Sequence, residues 1–109
     1  MLFLKRNSIE EHLDLGQRIE YEGSLVILGD VNGGAEVIAG ENIVVLGILR
    51  GLAHAGAKGN KEAIIACSSI EAPQVRISNI IKERTKEEIQ DRKLKTSAYV
   101  DENGEIVIE

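Results

Sequence analysis

The sequence predicts an all-β fold, a parallel β-helix (β-solenoid) built from about three coils of 18 residues. The first observation is a repeat, because residues 18–35 align with residues 36–53 without a gap, so that Leu25 matches Ile43. The second is composition, because the apolar runs are rich in β-branched residues, and glycines separate them where tight corners are needed. The third is the period, which is too short for a helical hairpin or a propeller blade. It suits one turn of a β-helix with three sides of about six residues.

The segments on both sides of the coils predict short helices. The capping-box pattern S/T-x-x-E occurs at residues 8–11 and 85–88, so helices should begin near Ile9 and Lys86. The strongly charged stretch after Lys86 is typical of a solvated helix or connector.

The coils should extend from residue 18 to residue 77. A third, degenerate copy carries AIIA at residues 63–66 where the first two copies have LVIL and IVVL. An insertion around residues 58–61 displaces this copy by one or two positions, and residues 73–77 begin a partial fourth coil.

We expect one domain over residues 1–109, with an N-terminal cap at 1–17 and a charged helix and hairpin at 78–109. The hairpin is indicated by two apolar runs that flank Asp-Glu-Asn-Gly at residues 101–104, where Asn-Gly supplies the turn. Terminal elements of this kind can cap the open ends of a solenoid.

Composition and charge exclude several classes of function. The net charge of −5 and the pI near 5.1, without a basic stripe, argue against direct nucleic-acid binding. Cys67 is the only cysteine, so an internal disulfide is impossible and a packing role is expected. No signal peptide or membrane-spanning apolar stretch is evident, which predicts a cytoplasmic protein.

The apolar runs are continuous, so both faces of each strand are apolar. One set of alternate residues must point into the solenoid, and the other would form an apolar face that a monomer does not normally expose. A homodimer is therefore favoured, and the alternative is that the C-terminal segment covers this face. The sequence leaves open which set faces outward. The candidate dimer residues are Leu25, Ile27, Ile43 and Val45.

Catalytic signals are weak, so we expect neither an enzyme nor a cofactor. The two histidines, His12 and His54, lie in different segments, and no cluster has the spacing of metal ligands. The sequence also lacks a serine elbow and a phosphate-binding P-loop. Two alternatives stay open: an acyltransferase with a left-handed β-helix and His54 as its base, and a polymer-forming scaffold like the bactofilins.

Two motifs carry a resemblance to a known family. Residues 29–39 read GDVNGGAEVIA and residues 47–57 read GILRGLAHAGA. They resemble the C-terminal domain of the MinC septum site-determining family, which carries GDVN-x-GAEV-x-A and G-x-LRG-x-AHAG in this order and spacing. The resemblance covers residues 16–77, with weaker agreement at residues 2–7 and 98–109.

This resemblance implies a right-handed β-helix that dimerises through an apolar face and has no catalytic role. It also implies binding to the membrane-attached, ATP-bound MinD ATPase and recruitment by it to the inner face of the cell membrane. There, such domains contribute to holding FtsZ so that septa do not form. Nothing before Leu2 is long enough to encode the family's N-terminal domain, so we expect that domain to be absent.

The resemblance also implies where the partner binds. The family's Arg-Ser-Gly-Gln motif, associated with MinD binding, corresponds to residues 14–17, where Gly16 and Gln17 are retained and Asp14 replaces the arginine. A partner surface that receives a cation would repel this carboxylate. The second motif adds four candidate contact residues, Arg50, Gly51, His54 and Gly56.

Overall fold

The computed structural model of the protein describes residues 7–109. Residues 1–6, which include part of the predicted cap and most of the weak resemblance at 2–7, lie outside the described residues. The long strands of the coils are β1 (Asn7–Leu13), β3 (Ser24–Val31), β5 (Ile43–Leu49) and β7 (Ile65–Ile70). The short strands are β2 (Arg18–Tyr21), β4 (Glu36–Ala39), β6 (Leu52–Ala55) and β8 (Gln74–Ile77). The chain continues with β9 (Ile80–Glu83), α1 (Lys86–Gln90), β10 (Ser97–Val100) and β11 (Ile106–Ile108).

The eight strands β1 to β8 form a parallel β-solenoid in which each coil contributes one long and one short strand. The long strands stack in the order β1-β3-β5-β7 and the short strands in the order β2-β4-β6-β8. Leu25 pairs with Ile43 and Ile27 pairs with Val45, as the predicted repeat requires. The predicted solenoid is therefore confirmed, and the described residues contain four coils where about three were predicted.

The register departs from the predicted repeat at two places. Between β4 and β6 the coil is shorter, since Val37 pairs with Ala53, whereas the repeat alone would place it opposite Ala55. The reason is that the corner before β6 is shorter than the corner before β4. Between β5 and β7 the insertion lengthens the coil, so that Ile43 pairs with Ile65. The segment equivalent to LVIL thus begins at Ile65, and the prediction that it begins at residue 63 was wrong.

The predicted helix near Ile9 is wrong, because residues 7–13 form the strand β1. This strand pairs in parallel with β3, with Ile9 opposite Val26 and Leu13 opposite Val31. Leu13 is buried in the core. Packing against the next coil therefore overrides the local capping pattern, as tertiary contacts often override helix propensity.

The predicted helix near Lys86 is confirmed as α1. Its capping box is complete, because Thr85 Oγ1 accepts a hydrogen bond from the backbone N–H of Glu88 (3.1 Å), and the Glu88 carboxylate accepts one from the N–H of Thr85 (3.4 Å). Accepting that bond and lying near Lys82 lower the pKa of the Glu88 carboxyl. The helix is short and has no buried residue, so it connects elements and does not form part of the core.

Two hairpins close the C-terminal end of the solenoid. The predicted hairpin β10–β11 is confirmed. Its strand β10 pairs antiparallel with β7, so the hairpin adds two strands to the C-terminal edge of the long-strand sheet. A second, unpredicted hairpin joins β8 to β9 through Ser78 and Asn79, with Ser78 at a φ of 57°. Side chains of the two hairpins pack at the end of the core, among them Ile80, Val100, Ile106 and Ile108. This closed end disfavours the filament-forming alternative, which requires open ends for growth.

The core lies inside the coils and is almost entirely aliphatic. Cys67 belongs to it, and burial raises the pKa of its thiol to about 12, which supports the predicted packing role. No helix in the described range 7–109 combines the length and the apolar character needed to cross a membrane.

Candidate partner-binding surface

The turn before the first short strand is held rigidly by its own residues. The N–H of Gln17 donates to the carbonyl of Asp14 (3.0 Å), and the N–H of Asp14 donates to the side-chain oxygen of Gln17 (2.7 Å). Gly16 has a φ of 85°, which favours glycine, and its N–H donates to the carbonyl of Gly34 in the next coil (3.1 Å). Gly16 and Gln17 are both exposed, so this turn presents a fixed, accessible surface.

A row of polar side chains continues from this turn across all four coils, and we call it the corner ladder (Asp14, Asn32, Arg50 and Glu71). Asn32 donates from its amide nitrogen to Asp14 Oδ1 (2.9 Å), and Arg50 Nη1 donates to Asn32 Oδ1 (3.4 Å). Arg50 Nε lies 3.5 Å from Glu71 Oε1. Pairs this exposed contribute little to stability, about 0–1 kcal/mol each, so the ladder adds little to the stability of the fold.

Arg50 is the cation of the corner ladder, and carboxylates surround it. Besides Glu71, the carboxylate of Asp30 lies 4.0 Å from Arg50 Nη1. The Arg50 side chain is nevertheless 43% exposed, so a partner can reach the guanidinium from outside. Arg50 lies two coils from Asp14, about 10 Å along the solenoid axis at the usual strand spacing.

Gly51 and Gly56 are buried and serve the fold. A Cβ at Gly51 would meet the carbonyl oxygen of Ala35 and lie 2.6 Å from that of Asn32. A Cβ at Gly56, whose φ is 57°, would meet the carbonyl oxygen of Asn60. Each glycine therefore allows close approach of the backbone at a corner, and neither offers a side chain to a partner.

His54 lies on the outer side of β6, half-buried, and its ring is engaged with the chain itself. Its Nε2 is 2.7 Å from the carbonyl oxygen of Ser78, so this nitrogen carries the hydrogen and donates. The contact holds the β8–β9 turn, in which Ser78 has its left-handed φ. A nitrogen that donates to a carbonyl cannot also accept a proton, so this geometry gives no support to His54 Nε2 as a catalytic base.

The structure thus brings together only some of the predicted contact residues. Gly16, Gln17, Arg50 and Gly51 lie at one corner of the solenoid, joined through Asn32 and Gly34. His54 and Gly56 lie on the short-strand side, on β6 and in the turn after it. The exposed candidates at the corner are Gly16, Gln17 and Arg50.

The predicted dimer residues Leu25, Ile27, Ile43 and Val45 are wrong, because all four point into the solenoid and are 0% exposed. The opposite set of alternate residues faces outward on β3 and β5, namely Val26, Leu28, Val44 and Leu46.

This outward set forms the centre of an apolar surface, and we call it the outer face (Val26, Leu28, Val44 and Leu46). Leu28 is 49% exposed and Leu46 is 58% exposed. Ile64, just before β7, is 42% exposed beside it. The C-terminal hairpin extends the sheet at its edge, so the alternative in which that segment covers the outer face is not supported.

Sequence reasoning predicted an outward apolar face but assigned the wrong set of residues to it, although one residue indicated the correct set. Asp30 lies on the same side of β3 as Leu28 and Val26, two and four positions away. A carboxylate is rarely buried without a partner, so Asp30 marks this side as outward. The structure agrees, since Asp30 is 43% exposed and accepts a hydrogen bond from the N–H of Ile48 (2.8 Å).

Comparison with known proteins gives a consistent result. The family described as septum formation inhibitor MinC, C-terminal domain, matches residues 7–109. A probable septum site-determining protein MinC from Geobacillus thermodenitrificans is 47% identical over 94 residues, which are 86% of this chain and 41% of that protein. The septum site-determining protein MinC of Bacillus subtilis is 42% identical over 102 residues, or 94% of this chain and 45% of that protein.

The solved structures include a close fold relative. A chain of the MinC:MinD cell division protein complex from Aquifex aeolicus matches with a TM-score of 0.86 and 38% identity. The match covers 95% of this chain and 85% of that chain. By contrast, this chain spans about two fifths of the length of the curated relatives named above.

Proposed function

This chain belongs to the MinC family, where it corresponds to the C-terminal domain, and on that premise we propose that it regulates cell division by binding a MinD-type ATPase. The observation that carries the proposal is the exposed corner that holds Gly16, Gln17 and Arg50 together. The likeness to a chain of a MinC:MinD complex supports the same partner.

Charge at this corner determines how the partner has to fit. Asp14 places a carboxylate on the first coil, and its Oδ1 is already hydrogen-bonded to Asn32. The cation of the corner ladder is Arg50, two coils away and 43% exposed. A partner that presents a carboxylate near Arg50 and a hydrogen-bond donor near Asp14 matches this pattern, because complementary charges guide encounter and fix register.

The direct test is sedimentation of the purified chain with a MinD-type ATPase and lipid vesicles, in ATP and in ADP. We expect the chain to pellet with the vesicles only when both the ATPase and ATP are present. Equal pelleting in ATP and ADP, or none in either, would contradict the proposed partner.

Two charge-matched variants locate the contact. Arg50→Gln removes the guanidinium charge of the corner ladder and should weaken ATP-dependent pelleting by about tenfold, the loss of roughly 1.4 kcal/mol. Arg92→Gln removes the same charge from an exposed position between α1 and β10 and should pellet like wild type. If both variants pellet like wild type, Arg50 is not a contact residue.

We also propose that the chain is a homodimer that buries the outer face. Isologous pairing of two identical apolar sheets removes this surface from water without leaving a new exposed patch. The outer face lies on the long-strand sheet, whereas the corner ladder lies at the end of the long strands and remains exposed. One protomer can therefore dimerise through the outer face and bind the ATPase through the corner ladder at the same time.

Recruitment and FtsZ inhibition follow from the same proposal. The chain is cytoplasmic, reaches the inner face of the cell membrane through the ATPase, and there contributes to holding FtsZ so that septa do not form. Cells that express the chain with its ATPase should therefore elongate, whereas cells that express the chain alone should divide at normal length. Equal cell lengths under the microscope would argue against this role.

A further inference from the structure

Within the described residues, the N-terminal end of the solenoid is bounded by an edge strand that is longer than the edge strands at the C-terminal end. The strand β1 has seven residues and pairs with β3 on one side, and no strand of the described part of the chain pairs with its other side. The edge strands at the C-terminal end, β9 and β11, have only four and three residues. An exposed edge of seven residues is a template for another chain, and folded proteins normally protect such edges.

Two polar residues of β1 occupy positions that belong to the core in the following coils. Ser8 stands opposite Leu25 and Glu10 opposite Ile27, both of which are 0% exposed. Ile9, between them, stands opposite Val26 on the outer face. Ser8 and Glu10 therefore point to the inner side of the sheet, at the end of the apolar interior, where both are half-buried.

This arrangement makes a strand that pairs with β1 unfavourable. Such a strand would place its inward side chains over Ser8 and Glu10 and would take their polar groups out of water. The Ser8 hydroxyl donates to the Glu10 carboxylate (3.4 Å), a contact that leaves the negative charge in place. Burying this charge without a cation therefore carries a desolvation penalty that a few edge hydrogen bonds do not return.

We propose that Ser8 and Glu10 form a polar cap that prevents a second copy of this chain from pairing with β1. The excluded contact is head to head, because the C-terminal end is closed by two hairpins and, within the described residues, the long unpaired edge lies at the N-terminal end. Two identical edges would meet about a two-fold axis and pair antiparallel. The polar cap thus restricts association between copies to the outer face.

The test converts the polar cap into a continuation of the core. In Ser8→Val/Glu10→Val both residues become apolar and β-branched, which favours a strand. By sedimentation velocity at increasing protein concentration, this variant should form species of at least twice the wild-type mass, because a dimer formed through the outer face carries two copies of the β1 edge. A variant that keeps the wild-type mass at every concentration would overturn the proposal, whichever oligomer the wild type forms.

The matched control is Glu11→Val, which removes the same charge from the same strand. Glu11 stands opposite Leu28, on the outer side of the sheet, so this variant leaves the polar cap intact and should keep the wild-type mass. Equal doubling in both variants would overturn the proposal, because loss of charge alone would then explain it. If the valine variant precipitates, the smaller Ser8→Ala/Glu10→Ala decides: doubling of its mass supports the polar cap, and an unchanged mass overturns it.

Discussion

The outer face allows the free energy of dimerisation to be estimated from the exposed fractions of two leucine side chains. Leu28 and Leu46 are 49% and 58% exposed, so about half of each side chain remains to be buried by a second protomer. Complete burial of a leucine contributes about 2 kcal/mol, so the remaining half contributes about 1 kcal/mol. An isologous interface uses each leucine twice, which gives about 4 kcal/mol for the dimer.

The double variant Leu28→Ser/Leu46→Ser should therefore weaken dimerisation about 1,000-fold in Kd, since each 1.4 kcal/mol is about tenfold. The free energy of unfolding of the protomer should change much less, because these side chains lie on the surface. Sedimentation equilibrium gives the dissociation constant, and a thermal melt followed by circular dichroism reports the fold.

The control for this prediction is Ile27→Ala, next to Leu28 and on the opposite side of the same strand. Ile27 is 0% exposed, so its truncation should lower the free energy of unfolding by about 2–5 kcal/mol while the dimer survives in the folded protein. A double serine variant that dimerises as tightly as wild type would refute the assignment of the outer face.

Three further predictions concern the fold. Gly51→Ala should lower the melting temperature by several degrees, because its Cβ has no room beside Ala35, whereas Gly33→Ala, with open space around it, should melt like wild type. Cys67, whose thiol pKa is raised to about 12, should resist a thiol reagent at about pH 8 until the protein unfolds. The free energy of unfolding should also fall above about pH 9, because the thiol then ionises only in the unfolded chain. Thr85→Ala should cost about 1 kcal/mol in a denaturant titration through loss of the helix cap, and an unchanged midpoint would contradict that role.

The sequence could predict the solenoid because residues that are one repeat apart are direct neighbours in adjacent strands. Leu25 and Ile43 are one repeat apart and stand opposite each other in neighbouring strands. Where the corner lengths change, the period no longer gives the register, since Val37 pairs with Ala53 and Ile43 with Ile65. Corner length depends on how the backbone packs at glycines such as Gly51, which a repeat does not encode.

The N-terminal strand and the inward set of side chains were missed for related reasons. The pattern at residues 8–11 satisfies a local rule for a helix, but the chain gains more by pairing β1 with β3 and burying Leu13. The choice between the inward and the outward set of alternate residues rested on apolar runs in which both sets are equally apolar. A charged neighbour in the same strand, Asp30, distinguishes them, and its position becomes informative once the strand is known to continue to Val31.

The same period explains how the corner ladder is built. Asp14, Asn32 and Arg50 are spaced by one full repeat, so their side chains form one row in which each contacts the next. The carboxylate of Asp14 is therefore held by the Asn32 amide, and the positive charge of the row lies on the third coil, at Arg50. Glu71 joins the row only because the insertion lengthens the following coil. The partner contact proposed at this corner would therefore involve side chains from several coils together, and a substitution in one coil changes the surface that the others present.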